Sequence, residues 1–272
     1  MEEVPRPPGT DPTPAESLQG MTVCEGRWSV ARRISPQAGH TGGFFSVGYV
    51  VEQLDESGVP TGNRAFLKAL DYSKWPCLGV PFADALASLS AAFVFERDLV
   101  QECANRRMSN VVLGIDSGEV VVPGHGPLSP VSFIVFEEAS GDVRKRMDAQ
   151  VLFDNAWALR VMHNVANGLR QLHQANIAHQ DLKPSNVLLF ENRSKIGDLG
   201  RAFQPGSTPP HAGVIVPGDS TYAPPELLYG QADPDATLRC RAAEAYHLGS
   251  MVAFMFTKVS ITAAIANHVD PN

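Results

Sequence analysis

The sequence predicts an α+β fold, on three observations. Runs of β character gather in the first half, at Trp28 to Ile34, Val47 to Val51, Arg64 to Leu70, Glu119 to Val122 and Val131 to Phe136. One helical stretch, Ala91 to Cys103, interrupts them, with apolar residues at Phe95, Leu99, Val100 and Cys103. The second half opens on a long amphipathic helix, Asp154 to Gln174, with its stripe at Leu159, Val161, Met162, Val165, Leu169 and Leu172. At 272 residues the chain is long enough for one large domain or for two lobes sharing a cleft.

Composition narrows the function classes. Hydrophobic residues make up 44% and charged residues 19%, as in an ordinary globular chain. A formal net charge of -7 gives no basic footprint for nucleic acid or an anionic membrane, so any polyanion must be bound locally. Cys24, Cys77, Cys103 and Cys240 are scattered, which points to reduced thiols in a cytoplasmic protein over a disulfide or zinc framework. Residues 1–24, rich in Pro, Glu, Thr and Gly, read as a disordered tail and not a signal peptide. The apolar stretch Leu248 to Phe256 is too short to span a bilayer, so the chain reads as soluble.

In chain order, the strand at Trp28 ends before a loop, Ser35 to Thr41. A glycine-rich turn at Gly42 and Gly43 then runs into the strand that carries Val47. Gly58 to Gly62 reads as a turn. The next strand carries Lys68, costly to bury without a negative partner, and Phe66 shares its face because residues two apart do. Tyr72 to Ser90, with Pro76, Gly79 and Pro81, reads as a loop or small insertion. The two glutamates of the helix that follows, Glu96 and Glu102, are the candidate partners for Lys68. Pro123 to Pro130 joins the last two strands of the first half. The basic run Arg144-Lys145-Arg146 reads as a solvated helical face before it reads as a phosphate patch.

The chemistry concentrates in His179-Gln-Asp181-Leu-Lys183-Pro-Ser-Asn186 and, shortly after, Asp198-Leu-Gly200. Phosphoryl transfer to a hydroxyl needs a carboxylate for the acceptor proton, hard oxygen ligands for Mg²⁺ and a cation against the developing charge. Asp181, Asn186, Asp198 and Lys183 are those types in one window. Turn chemistry accounts for any one of them, but not for the ordered set.

These motifs resemble the eukaryotic-type Ser/Thr protein kinases, the first their catalytic loop and the second their metal-binding turn. The resemblance runs from about Trp28 to Leu248 and includes Gly218-Asp-Ser-Thr-Tyr-Ala-Pro-Pro-Glu226, similar to the family's substrate-docking segment and its Ala-Pro-Glu ending. It implies a bilobal protein kinase fold, with a small antiparallel N-lobe sheet plus one helix over 25–138 and a mainly helical C-lobe over 139–272. It also implies ATP and Mg²⁺ as cofactors and a protein hydroxyl as acceptor. Asp181 would be the base, Lys183 would contact the γ-phosphate, and Asn186 and Asp198 would hold the metal. Lys68 would touch the nucleotide phosphates, braced by Glu96, which is better spaced than Glu102 from Ser109-Asn-Val-Val112, a run similar to the family's His-Pro-Asn-Ile. Gly42, Gly43 and Val47 would cover the phosphates, and Phe136, Glu137 and Ala139 would line the adenine.

Four departures accompany the resemblance. Phe66 stands where the family has a small alanine, and Phe136 is also large. Gln180 replaces an arginine that pairs with a phosphate, which implies activity independent of phosphorylation in the segment after Asp198. Glu244 replaces an aspartate that ties down the catalytic loop. The chain also ends before the family's last helices would be complete, so either the sequence is a shortened piece or a partner or unusual packing covers that C-terminal face. A binding or scaffolding module related to the kinases is the alternative reading, and transfer to a small molecule is a third.

Overall fold

Period-two alternation organises the first half of the chain. The computed structural model describes residues 11–34, 45–149, 154–207, 209–211 and 213–268. It divides into one unit of Met1–Arg97 with Leu113–Glu138 and a second of Asp98–Val112 with Ala139–Asn272. The division therefore differs from the single boundary expected at residue 138: residues 98–112 belong with the second unit.

The first unit is a six-stranded antiparallel sheet in the order β1-β2-β3-β4-β6-β5. Its strands are β1 (Thr22–Val23), β2 (Trp28–Arg33), β3 (Ser46–Leu54), β4 (Pro60–Leu70), β5 (Gly114–Val121) and β6 (Pro130–Glu137). Val47, Tyr49 and Val51 on β3, Ala65, Leu67 and Ala69 on β4, and Phe133 and Val135 on β6 turn to one face and form its core. Arg27 and Trp28 both bond Asp116 of β5, so the sheet curls until its two ends meet there.

Residues 11–24, expected in a disordered tail, are folded. Thr13 and Glu16 form a reciprocal capping box on a single 3₁₀ turn, Pro14–Glu16, which satisfies two end donors at once. Ala15 and Leu18 are buried in the sheet core, and Tyr49 fixes them by donating to Ala15 O at 2.7 Å. Low hydropathy hid a segment whose few apolar residues are all used.

The loop expected over 72–90 is also different. A 3₁₀ helix, Tyr72–Leu78, is capped by Asp71, and helix α1 runs Phe82–Asn105, starting nine residues before the expected Ala91. Pro81 sits just ahead of that start, where a missing N–H is harmless.

The second unit is built around α3 (Asn155–Gln174), capped at its N-terminus by Asp154, whose Oδ1 accepts from Trp157 N. Its buried stripe is Trp157, Ala158, Val161, Val165, Gly168, Leu169 and Leu172. Leu159, expected in the stripe, is 61% exposed because it lies off the face that 158, 161, 165 and 169 define. Gly168 is a contact point and not merely tolerated. A Cβ there would come 2.8 Å from both Asn110 O and Ile196 Cδ1, so glycine lets the helix sit directly on those segments.

Around α3 lie a three-stranded sheet of β7 (Gly141–Asp142), β8 (Val187–Leu189) and β9 (Ser194–Ile196), then α2 (Val143–Ala149) and α5 (Ala236–Thr257). Short helices α4 (Pro225–Leu228) and α6 (Ile261–Ala266) flank α5 in sequence. Val143, Met147, Leu182, Val187, Ile196, Met251 and Met255 close the core with the α3 stripe. No single helix among the described residues is long and apolar enough to cross a membrane.

Candidate active site

In the second unit the residues before the loop are pinned on both sides. Ala178 and Phe203 exchange backbone hydrogen bonds at 2.8 and 2.7 Å, which ties the start of the loop to the chain beyond Gly200. Glu244, 1% exposed on α5, accepts from His179 N and bonds the His173 ring, so the longer carboxylate does reach the loop backbone. His179 is fully buried. Its Nε2 donates to Gly197 O at 2.9 Å and its Nδ1 accepts from Asp181 N at 3.2 Å, which fixes the tautomer.

These ties hold Asp181 at 7% exposure with both carboxylate oxygens engaged. Oδ2 lies 3.1 Å from Lys183 Nζ and accepts from Asn186 Nδ2 at 3.1 Å. Oδ1 accepts from Asp219 N at 2.8 Å. Burial pushes the Asp181 carboxyl above its ordinary value; Lys183 and the Asp219 N–H oppose this, and the Asp198 carboxylate adds to it. The net rise brings a carboxylate closer to the proton affinity a general base needs.

Asp219 was not singled out from sequence, yet it meets both Asp181 and Lys183. Its carboxylate lies 3.5 Å from Lys183 Nζ and accepts from the Thr221 hydroxyl at 2.7 Å. Burial pushes its carboxyl up, but Thr221 and Lys183 more than offset this and hold it below the usual range. Gly218 makes the approach possible, since a Cβ there would come 2.6 Å from Asp181 Oδ1 and 2.7 Å from Gln180 O. A signal existed in the sequence: glycine next to an acidic residue in a segment that must pass close to a buried loop.

Gln180 and Asp198 are held at φ of 65° and 62°, the left-handed region that costs a non-glycine residue about 1 kcal/mol or more. Gln180 is buried, and its amide donates to Cys240 O at 3.3 Å. Asn186 commits its amide nitrogen to Asp181 O and Oδ2, so the amide oxygen is the group it could offer a cation. Asp198 raises the pKa of Asp181 through space, a carboxylate repulsion that a divalent cation would relieve. One carboxylate and one amide oxygen, completed by phosphate oxygens and water, fit the way Mg²⁺ is usually held.

In the first unit, Lys68 on β4 lies 2.7 Å from Glu96 Oε1 and 2.9 Å from Glu96 Oε2. Glu102, the competing partner, instead accepts from Arg106 at 2.9 Å and from Gln204 at 3.0 Å within the second unit. The register pairs Gly48 with Lys68, Val50 with Phe66, and Phe136 with Phe66.

Val47 requires a correction. It pairs with Ala69 and is buried in the sheet core, on the face opposite Lys68. Directly paired residues share a face, so the valine on the Lys68 side is Val50 and the glycine there is Gly48. Gly42 and Gly43 lie outside the described residues. Glu137 donates to Leu113 O at 3.1 Å and accepts from Leu113 N at 2.6 Å, which fixes the end of β6. Ala139, two residues on, opens the second segment of the second unit. The basic run is taken up locally: Arg144 bonds Tyr222 OH and covers Phe254, Lys145 pairs with Asp142, and Arg146 lies over Trp157.

A buried aspartate braced by lysine and asparagine, with a second aspartate acting on it, has the parts of a phosphoryl-transfer site. The protein kinase domain model matches residues 97–270, and the chain belongs to the protein kinase family. Among curated proteins it is 31% identical over 106 residues to Aurora/IPL1-related protein kinase 2 of Caenorhabditis briggsae, covering 38% of this chain and 34% of that one. It is 31% identical over 157 residues to serine/threonine-protein kinases drp72 of Corynebacterium efficiens, covering 56% and 28%. It is 36% identical over 94 residues to the calcium and calcium/calmodulin-dependent serine/threonine-protein kinase DMI-3 of Medicago truncatula, covering 33% and 18%. The matches thus span about a third or less of these relatives' own lengths.

Proposed function

We propose that this protein is an ATP-dependent Ser/Thr protein kinase that passes the γ-phosphate of ATP to serine or threonine hydroxyls of a protein substrate, with the bilobal architecture of that family. The observation that carries the reading is the state of Asp181: buried, raised in pKa, and gripped by Lys183, Asn186 and the Asp219 N–H. A turn residue has no need of that environment. A group that must align and take a hydroxyl proton does.

In this reading Asp181 orients the acceptor oxygen and accepts its proton, and Lys183 steadies the charge on the transferred group. Asn186 and Asp198 would hold Mg²⁺, which would supply charge neutralisation for the phosphates. Lys68, braced by Glu96, positions the α and β phosphates. Catalysis then rests on positioning and electrostatics, with no covalent intermediate. The buried Gln180, turned to Cys240 O, favours activity without phosphorylation in the segment after Asp198. Four cysteines outside any disulfide favour a reducing compartment, the cytoplasm.

The test is a thermal-shift titration with ATP, with and without Mg²⁺, on wild type and Asp198→Ala. Ligand that binds the native state raises the melting temperature by mass action. The reading predicts a Mg²⁺-dependent rise that weakens in the variant; no rise at millimolar nucleotide would sink it. A second reading, a binding module without transfer, draws support from the ring of Phe66 seated on Gly48, and that outcome would favour it.

A further inference from the structure

Phe66 and Lys68 project from the same face of β4, separated by one pleat repeat of about 7 Å. On that face Gly48 stands opposite Lys68, and Val50 and Phe136 flank Phe66. The Phe66 ring does not stand upright over its own pair. It leans along the strand, so that Cε2 and Cζ lie 2.8 and 3.2 Å from where a Gly48 Cβ would be. Only glycine at 48 leaves room for it. The Phe66 and Phe136 ring centroids are 6.4 Å apart and the planes are tilted by 33°, an aromatic contact. The strip of sheet from Lys68 to Phe136 is therefore covered by hydrocarbon.

A nucleotide whose phosphates meet Lys68 and whose base lies along β4 has two directions open to it. Toward Leu70 the strand ends, and the chain turns into the 3₁₀ helix at Tyr72. The other direction leads over Phe66. A purine is a flat ring of its own and cannot share the place of a ring that already rests on the backbone.

We propose that Phe66 sets nucleotide affinity and base selection: its ring, seated on Gly48, holds the place of the base beside Lys68. The inference rests on the kinase reading above and adds to it. Nucleotide is held mainly through its phosphates, and a purine enters only when the ring leaves Gly48. Replacing the ring opens the base position without altering the phosphate anchor, so Phe66 is a specificity residue and not a structural filler.

Calorimetric titration of the full chain tests this, with ATP and with inorganic tripolyphosphate, both with Mg²⁺. The variants are Phe66→Ala, Phe66→Val and Lys68→Met, each first checked by its ligand-free melting curve. The valine variant keeps a strong strand former should alanine loosen the sheet. The expected result is about tenfold tighter ATP binding in either Phe66 variant, with tripolyphosphate affinity unchanged, and weaker binding of both ligands in Lys68→Met. Equal or weaker ATP binding in folded Phe66 variants overturns the proposal, since the ring would then be neutral or would stack on the base; the kinase reading would survive. No binding of either ligand by any folded variant removes the nucleotide reading and this inference with it.

Discussion

The backbone N–H of Asp219 donates to Asp181 Oδ1 at 2.8 Å, so the segment that ends at Glu226 is fastened to the central carboxylate itself. Gly218 permits the fastening. A methyl group at 218 would press on Asp181 Oδ1 and on the Gln180 carbonyl, and a backbone carbonyl cannot swing away. Gly218→Ala is expected to cut phosphoryl transfer by about a hundredfold, as small misplacements of reacting groups do. Its melting temperature should fall far less in proportion. Steady-state kinetics beside a melting curve checks both; unchanged kcat would show that Asp181 tolerates the push.

Glu244 serves two partners, the His179 N–H and the His173 ring, from a fully buried position. Glu244→Ala would leave the His179 N–H without its acceptor, at a cost of about 1–3 kcal/mol. Denaturant unfolding measures this directly. Glu244→Gln keeps an acceptor oxygen and should recover part of the loss. A loss as large in the glutamine variant would point to the charge and not the hydrogen bond.

His247 makes the fold sensitive to acid. Burial, and then the neighbouring His179, push its pKa from the ordinary 6.5 down to about 4. A histidine kept neutral in the fold but protonated in the unfolded chain stabilises fully above the unfolded value. That stability is lost as pH falls from 6.5 toward 4, and it amounts to about 3 kcal/mol. His173 has the opposite sign: its hydrogen bond to Glu244 raises its pKa, so its contribution is present below 6.5 and is lost as pH rises through the folded value. The more buried His247 dominates. His247→Leu should flatten the decline in stability between pH 6.5 and 4, read from melting curves across that range. An unchanged slope would assign the decline to carboxylates alone.

The loop residues could be picked out in the sequence because they form an ordered set along the chain, which folding does not change. The pairing of Lys68 with Glu96 was legible for a related reason: a lysine in an apolar strand calls for a negative partner, and the family resemblance, with the distance to Ser109-Asn-Val-Val112, favoured Glu96 over Glu102. Val47 was misread because glycine spacing alone does not set strand register. The pairing of Gly48 with Lys68 does, and a shift of one residue exchanges the two faces. The start of α1 was hidden by Pro76, Gly79 and Pro81, which read as loop signals although one lies within a 3₁₀ helix and another just precedes α1. Asp219 was missed because its contacts join segments 38 residues apart, which local pattern does not reveal.

The central claim is that Asp181 activates a hydroxyl for transfer of the γ-phosphate. The direct measurement is transfer of labelled γ-phosphate from ATP with Mg²⁺ to a degenerate Ser/Thr peptide mixture, by wild type and Asp181→Asn side by side. The account predicts transfer by wild type and a loss of about 10²–10⁴-fold in the variant, the range for removing a general base. Equal rates in the two proteins, or no transfer by folded wild type that binds ATP, would contradict it.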